Sequence, residues 1–323
     1  MRLLLLAFAC LFSLQGAALA RPAAAEEPVI TVTLLGTGAP PPLADRFGPA
    51  TLVQAGGQTL LFDAGRGSTI RLWQLAVPGS ALTATFLTHL HSDHVVGLPD
   101  LWLTGWVRGP HGARSQPFRL VGPPGTTDLA HHLEQAFAAD VRYRIAQGLP
   151  PEGARIAAEE FAADGVVHDQ DGVRVTAFRV DHGRAVDHAF GFRIDYQGRS
   201  VVISGDARPS DSVLRFATGA DLLIHEVAFA TDEAEASAPG VALILDTHTR
   251  PREAGRIFAT ARPTMAAYSH FARPAQGGFA PAPLSELIAQ TRETYDGPLT
   301  IGEDLTAFDI SAEGVVTVRT PRP

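Results

Sequence analysis

Four side chains that could bind a metal ion stand within six positions of one another: His89, His91, Asp93 and His94. Neutral imidazole nitrogens and carboxylate oxygens are groups that bind Zn²⁺, at about 2.0 to 2.2 Å. His89 and His91 alternate and are expected to face one ion, while Asp93 and His94 face a second. The alternative to a metal site is a surface loop in which these four polar residues occur by chance. It does not account for the strand-like run directly before this cluster or the helix-like run after it.

Four residues cannot complete two metal sites, so further ligands must come from distant parts of the chain. Suitable donors occur where three other strand-like runs end, and an α/β fold gathers such loops at one edge of its sheets. One of them, Asp206, has two carboxylate oxygens and could bridge both ions at a separation of about 3.5 to 4 Å. The three donors are His182 after residues 173–180, Asp206 after residues 200–203 and His270 after residues 265–268.

His188 competes with His182 for the first metal site, because it lies nearer the Phe190-Gly191 pair. His182 directly follows its strand-like run and precedes a glycine, Gly183. We therefore favour His182 as the ligand and expect His188 to lie outside the ligand set.

The elements that must position these residues are short apolar strands that alternate with amphipathic helical stretches from Pro28 to Val318. There is no internal repeat, low-complexity linker or break in composition, so we expect one α/β domain. Two segments, 140–172 and 231–247, look like excursions from the core.

The first 20 residues have the pattern of a secretory signal peptide: a basic start at Arg2, an apolar stretch, and the small-residue run Ala18-Leu19-Ala20. The apolar run is shorter than the roughly 20 residues that span a bilayer. We expect residues 1–20 to be removed, residues 21–323 to form the domain, and the mature protein to be periplasmic or secreted without a membrane anchor. The single cysteine, Cys10, lies within the signal, so no thiol is expected at the site.

The formal net charge of −8 gives no general attraction for a polyanion. On this ground nucleic acid is not the expected partner. A homodimer is one assembly that the sequence leaves open.

The order of the motifs resembles the metallo-β-lactamase superfamily and, within it, the ribonuclease Z and arylsulfatase-like branch. The resemblance covers residues 35–270 and implies a single-domain, four-layer αβ/βα sandwich with a dinuclear zinc centre, Mn²⁺ or Fe²⁺ being the other candidates. It assigns His89, His91, His182 and Asp206 to one ion, and Asp93, His94, His270 and the shared Asp206 to the other. The matching pieces are LGTGA at 35–39, FDAG at 62–65, the histidine-rich run, AFGFR at 189–193, SGD at 204–206, HEVA at 225–228, and His248 followed by REA at 252–254.

Three residues are expected to take part in the reaction: Asp93 follows from the metal ions, and His248 with Glu226 from the resemblance. Two Zn²⁺ ions lower the pKa of a water between them, and Asp93 could orient that water and accept its proton. His248 resembles the family's proton donor, with Glu226 hydrogen-bonded to its other ring nitrogen. The alternative for His248 is a residue at a helix N-terminus without a catalytic role.

The expected activity is hydrolysis of a small-molecule ester, first a phosphodiester, then a sulfate ester or a lactone. Processing of tRNA 3′ ends is the alternative, and three features weigh against it: the export signal, the acidic balance, and a tight turn at 195–199 where tRNA-processing enzymes extend a long arm. β-Lactam hydrolysis fits less well because of the bridging Asp206. A non-catalytic zinc-binding protein would have no need of an intact ligand set with a proton donor.

Overall fold

Two β-sheets packed face to face form the centre of the molecule. The computed structural model describes residues 29–274, 278 and 280–319. Its strands are β1 (Ile30–Gly36), β2 (Ala50–Ala55), β3 (Gln58–Phe62), β4 (Ala84–Phe86), β5 (Phe118–Gly122), β6 (Ile156–Glu160), β7 (Gly165–Gln170), β8 (Val173–Val180), β9 (Ala189–Tyr196), β10 (Arg199–Ile203), β11 (Leu222–Ala228), β12 (Met265–Ala272), β13 (Leu299–Ile301), β14 (Thr306–Ser311) and β15 (Gly314–Arg319).

Helices cover the outer faces of both sheets. They are α1 (Ser68–Gln74), α2 (Ser92–Val95), α3 (Leu98–Trp106), α4 (Thr126–Ala136), α5 (Ala138–Ala146), α6 (Asp211–Ala217), α7 (Asp232–Ser237), α8 (Pro239–Asp246), α9 (Pro251–Ala261) and α10 (Leu284–Arg292).

The order of the strands brings the ends of many of them to one edge. The first sheet runs β15-β14-β1-β2-β3-β4-β5-β6, and the second runs β13-β12-β11-β10-β9-β8-β7. Strands β3 to β6 are parallel to one another, and so are β10 to β13. Because parallel strands point their carboxyl ends the same way, the loops that follow them meet at a common edge.

Apolar side chains fill the space between the two sheets. Phe62 of the first sheet stacks on Phe86 with ring centroids 5.0 Å apart, and Phe192 of the second sheet lies 5.2 Å from Phe62. All three rings are buried. Burying a side chain of this size contributes roughly 1.5 to 3 kcal/mol, so this contact fixes the two sheets against each other.

The outer helices complete two further layers. Helix α9 turns Ala254, Ile257, Phe258 and Ala261 toward the second sheet, the i, i+3, i+4, i+7 spacing of an amphipathic helix. Helices α1, α3 and α4 place apolar residues on the first sheet in the same way. The predicted single-domain, four-layer αβ/βα sandwich is confirmed.

The two segments expected to lie outside the core are built into the fold. Residues 140–172 contain β6 and β7, which extend one sheet each as its outermost strand on that side. They carry the mixed exposure of edge strands, and this is why their short, polar sequences gave little strand signal. Residues 231–247 form α7 and α8, which pack on Ala39, Ala228 and Ala272.

The predicted signal peptide, residues 1–20, lies outside the described residues and stays a prediction. Within the described part of the chain, no helix combines the length and apolar character needed to cross a bilayer.

Candidate metal centre

The structure brings together all of the predicted metal ligands at the edge where the strands end. Each of three groups places its donor atoms within 4.8 Å of one another: His89 with His91 and His182, His89 with His94 and Asp206, and Asp93 with His94 and His270. The first group comes from the loop after β4 and the loop after β8. Asp206 follows β10, and His270 lies in β12.

One set of donors surrounds a point between His89, His91, His182 and Asp206. His91 Nδ1 lies 2.9 Å from His89 Nε2 and 3.2 Å from His182 Nε2. Asp206 Oδ2 lies 3.9 Å from His89 Nε2 and 3.8 Å from His182 Nε2. Tetrahedral Zn²⁺ with bonds of about 2.0 to 2.1 Å separates its ligand atoms by about 3.3 Å, close to these spacings.

A second set of donors consists of Asp93, His94, His270 and the same oxygen of Asp206. His94 Nε2 lies 3.5 Å from Asp93 Oδ2 and 3.3 Å from Asp206 Oδ2. His270 Nε2 lies 3.3 Å from Asp93 Oδ2 and 3.1 Å from Asp206 Oδ2. The two sets therefore meet at Asp206, as a bridging carboxylate requires.

Asp206 owes its position to the glycine before it. Gly205 has φ of 63°, in the left-handed region, and a Cβ there would lie 2.4 Å from the carbonyl oxygen of Phe190. Glycine permits this turn because it has no Cβ. A larger residue at 205 would force the backbone beside Asp206 to shift.

Buried groups behind the cluster orient two of the imidazoles. His94 Nδ1 donates to Asp63 Oδ2 at 2.8 Å, and His89 Nδ1 lies 3.0 Å from Thr88 Oγ1, which donates to the same carboxylate. Nε2 of each ring is left to face the cluster. Sequence reasoning included Asp63 in the run 62–65 but gave it no role. The signal available in the sequence was its position, directly after a strand-like apolar run. In the structure Asp63 has φ of 60°.

His182 is oriented by the backbone, because its Nδ1 donates to the carbonyl oxygen of Thr247 at 2.8 Å. Its Nε2 then points at His91. His188 does not belong to any of the donor groups found among the described residues. The preference for His182 over His188 agrees with this placement.

The charges of the cluster suit cation binding. Burial lowers the pKa of His89, His91 and His182, so these imidazoles are neutral and offer lone pairs. Burial opposes ionisation of Asp206, but the neighbouring His270 and His94 hold its pKa well below the usual range.

His94 differs in its pKa from His89, His91 and His182. Burial disfavours its charged form, but the carboxylates of Asp206 and Asp63 raise its pKa well above the usual value. Without a cation His94 therefore holds a proton, and a metal ion would have to displace that proton.

His248 and Glu226 form a buried pair beside the cluster. His248 Nδ1 donates to Glu226 Oε2 at 3.0 Å, and the backbone N–H of Thr249 donates to Glu226 Oε1 at 2.7 Å. Burial works against the charged imidazole, but the carboxylate of Glu226 outweighs it and raises the pKa of His248 to about 9. The His248 ring lies 4.9 Å from that of His182, close enough to serve a group bound at the cluster.

A cavity of about 330 Å³ opens above the cluster. Its floor contains His91, Asp93, Asp206 and His270, and His248 lies in its wall. The rest of the wall is mainly apolar, from three parts of the chain: Ala39, Pro40 and Pro41 from the loop after β1, Ile244 from α8, and Ala272 and Pro274 at the end of β12.

The residues present fit two divalent cations. Besides the donor types and spacings, three buried polar atoms of the ligand cluster have no hydrogen-bond partner in the described part of the chain: His94 Nε2, Asp206 Oδ1 and His270 Nδ1. Unpaired buried polar atoms are rare in folded proteins, and at this position a bound ion would satisfy His94 Nε2.

Comparison with known proteins agrees with the fold and the site. A family model described as "Beta-lactamase superfamily domain" matches residues 58–271. The chain belongs to the metallo-β-lactamase superfamily. It is 37% identical to a protein of Mycobacterium bovis named ribonuclease Z, across 87% of this chain and 99% of that protein. A ribonuclease Z of Mycobacterium marinum is 36% identical, across 88% of this chain and 100% of the relative.

Solved structures show the same fold at lower sequence identity. The short form of human tRNase Z superposes with a TM-score of 0.64 and 24% identity, covering 87% of this chain and 99% of that one. A metallo-β-lactamase fold protein of Bacillus subtilis gives a TM-score of 0.65 and 21% identity, with 87% and 99% covered. The expectation of a metal-dependent hydrolase is confirmed, and the superfamily implies divalent metal ions.

The expectation of a small-molecule ester as the substrate, with nucleic acid not a partner, is wrong. The relatives that match this chain over nearly their whole length carry the name of a ribonuclease, an enzyme that acts on RNA. The expectation rested partly on the net charge of −8. Net charge sums the whole surface, whereas substrate binding depends on the charges around one cavity.

Proposed function

We propose that this chain is a metal-dependent endoribonuclease that hydrolyses a phosphodiester bond near the 3′ end of RNA, with precursor tRNA as the substrate class. The single observation that carries the proposal is the pair of ligand sets that share Asp206 Oδ2. The comparison supports it, because this chain matches proteins named ribonuclease Z over nearly their full length.

The seven ligand side chains would hold two ions, Zn²⁺ first, in the two sets described above. Bound there, the ions would lower the pKa of a water molecule and neutralise charge on the phosphodiester. Asp93 is one of the ligands that also line the cavity. Burial opposes its ionisation, but the hydrogen bond from His270 holds the pKa of Asp93 below its usual value, so its carboxylate can orient the attacking water and accept a proton.

On the other side of the cavity, His248 would donate a proton to the leaving ribose oxygen. It carries that proton at neutral pH because Glu226 raises its pKa to about 9. Glu226 also fixes the ring, since it accepts from Nδ1 and leaves Nε2 for the substrate. Asp93 and His248, the proposed base and acid, thus both line the cavity in which the substrate would bind.

The test is cleavage of a precursor tRNA with a 3′ trailer by the zinc-loaded protein, with product lengths read on a denaturing gel. His91→Ala removes a ligand, and His131→Ala, an exposed histidine of α4, is the matched control. We expect one endonucleolytic cut by the native protein and by His131→Ala, and none by His91→Ala. No cut by a native protein that contains its two ions would overturn the proposal.

We also propose, from residues 1–20, that the mature protein is exported; its substrate would then be RNA outside the cytoplasm, and precursor tRNA would be a substrate in vitro only. Cell fractionation with an intact-mass measurement tests this. A mature chain that begins near Arg21 outside the cytoplasm is expected, and a full-length cytoplasmic protein would contradict it.

A further inference from the structure

One arginine lies among the described residues that line the cavity. Arg273 follows His270 by three positions, at the end of β12, and shares the cavity with Asp93 and His248. Apart from Thr247 and His248, the remainder of that wall is apolar or belongs to the metal cluster. Arg273 therefore gives the cavity a positive charge of its own, in a protein whose net charge is −8.

Local contacts hold the guanidinium of Arg273 in place. Its Nε and Nη2 donate to the carbonyl oxygen of Ala282 at 3.0 Å and 2.6 Å, and its Cζ lies 5.7 Å from the ring centroid of Phe229. These bonds use one side of the guanidinium fork. Nη1 takes no part in them. The N–H groups of Nη1 can therefore donate to a ligand, on a guanidinium that is already held in position.

A second guanidinium, that of Arg46, lies nearby. Arg46 Nη1 donates to Thr37 Oγ1 and to the carbonyl oxygen of Gly302, each at 2.7 Å, and its Cζ lies 4.3 Å from the ring centroid of Phe271. The acceptors named here for Arg46 and for Arg273 are neutral oxygens.

The positive charge of Arg273 also acts on Arg46. Burial lowers the pKa of Arg46, carboxylates led by Asp304 oppose that effect, and the positive charge of Arg273 adds to the lowering. Burial lowers the pKa of Arg273, and the negative charge of the exposed Asp45 opposes that effect. A bound anion would stabilise both guanidinium groups.

Resting on the proposed function, we propose that Arg273 binds a phosphate of the RNA next to the one that is cleaved, with Arg46 adding positive potential behind it. Guanidinium groups bind phosphate through charge-assisted hydrogen bonds. The apolar wall formed by Pro40, Pro41 and Ile244 then lies against the nucleoside between the two phosphates.

The test compares RNA with a substrate that has no second phosphate. In Arg273→Gln, the KM for precursor tRNA should rise roughly 10- to 100-fold, as expected for loss of hydrogen bonds to a charged group, with a smaller change in kcat. The kcat/KM for bis(p-nitrophenyl) phosphate should stay within about 2-fold of native, because that diester offers one phosphate. Arg256→Gln, an exposed arginine of α9, is the matched control and should change neither.

Salt dependence provides a readout that a merely structural defect would not move. Loss of one contact to a single-stranded phosphate should reduce the slope of log affinity against log salt by about 0.7. Asp45→Asn removes the opposing charge and should tighten RNA binding by about 2-fold. Anisotropy of a fluorescein-labelled RNA, checked for integrity on a gel, measures both effects on the zinc-loaded protein.

An unchanged KM and salt slope in Arg273→Gln would overturn the inference, and so would an equal loss on both substrates. Failure of the proposed function gives a different pattern, because the native protein would then not cut RNA at all. The anisotropy measurement still decides the role of Arg273 in that case: reduced RNA affinity with the smaller slope supports it, and native affinity contradicts it.

Discussion

Asp63 accepts a hydrogen bond from His94 at 2.8 Å, and both side chains are buried. Thr88 donates its backbone N–H to the same carboxylate at 2.8 Å. Asp63 therefore sets the ring orientation of His94 and directs Nε2 to the oxygens of Asp93 and Asp206. A residue outside the ligand set thus determines the geometry of one metal site.

Asp63→Asn should weaken binding of the second ion by about 10- to 100-fold, as losses of such supporting carboxylates do. The amide keeps the size of the side chain but loses the charge that favours the His94 N–H. Competition with a zinc chelator measures the affinity, and Asp128→Asn, exposed on α4, is the control. Two ions bound with native affinity by Asp63→Asn would contradict this account of Asp63.

Glu226→Gln should move the alkaline limb of the kcat/KM profile to lower pH. Activity needs the protonated form of His248, so it is lost as the pH rises through the pKa of that group. Glu226 raises this pKa to about 9, and without the carboxylate the effect of burial prevails and lowers it. Profiles of the native and variant proteins measure the shift.

His248→Ala should lower kcat by about 10²- to 10⁴-fold at neutral pH, with no loss of bound metal. Superimposable profiles for native and Glu226→Gln, or near-native kcat for His248→Ala, would exclude His248 as the acid.

Zinc binding should release protons near pH 7 and weaken as the pH falls. The pKa of His94 lies well above its usual value when no cation is present, because Asp206 and Asp63 overcome the effect of burial. The proton on His94 therefore competes with the zinc ion, and lower pH favours the protonated imidazole over the zinc-bound one. Calorimetry in buffers of different ionisation enthalpy counts the protons released, and a count of zero would contradict this assignment.

Asp304→Ala should cost about 3 to 5 kcal/mol of unfolding free energy, since it leaves the charge of Arg71 buried without its partner. The Asp304 carboxylate accepts from Thr37 N–H and Oγ1, from Phe47 N–H, and from Nε and Nη2 of Arg71, at 2.8 to 3.3 Å. Urea denaturation measures the loss. Asp309→Ala removes one hydrogen bond, from Thr31, and should cost about 0.5 to 1.5 kcal/mol; equal losses would contradict the role given to Asp304.

The ligand cluster at 89–94 could be predicted because its residues are close in sequence and flanked by a strand and a helix. His182, Asp206 and His270 could be predicted because each lies at or near the end of a strand in an α/β fold. Asp63 and Asp304 were not assigned roles, since a supporting carboxylate has no spacing rule, and its partners become visible only when distant segments pack.

Edge strands and local charge were the other failures of sequence reasoning. β6 and β7 bury little apolar surface, so hydrophobic pattern did not reveal them. The prediction of a small-molecule substrate rested partly on the overall charge. The overall charge does not show that Arg273 lies in the cavity wall. Substrate class depends on such local features.

The most direct test of the central claim is a crystal structure of the zinc-loaded protein with anomalous scattering recorded at the zinc edge. The account predicts two zinc peaks about 3.5 to 4 Å apart, with Asp206 bound to both. His89, His91 and His182 should complete one site, and Asp93, His94 and His270 the other. A single peak, or two peaks that do not share Asp206, would contradict it.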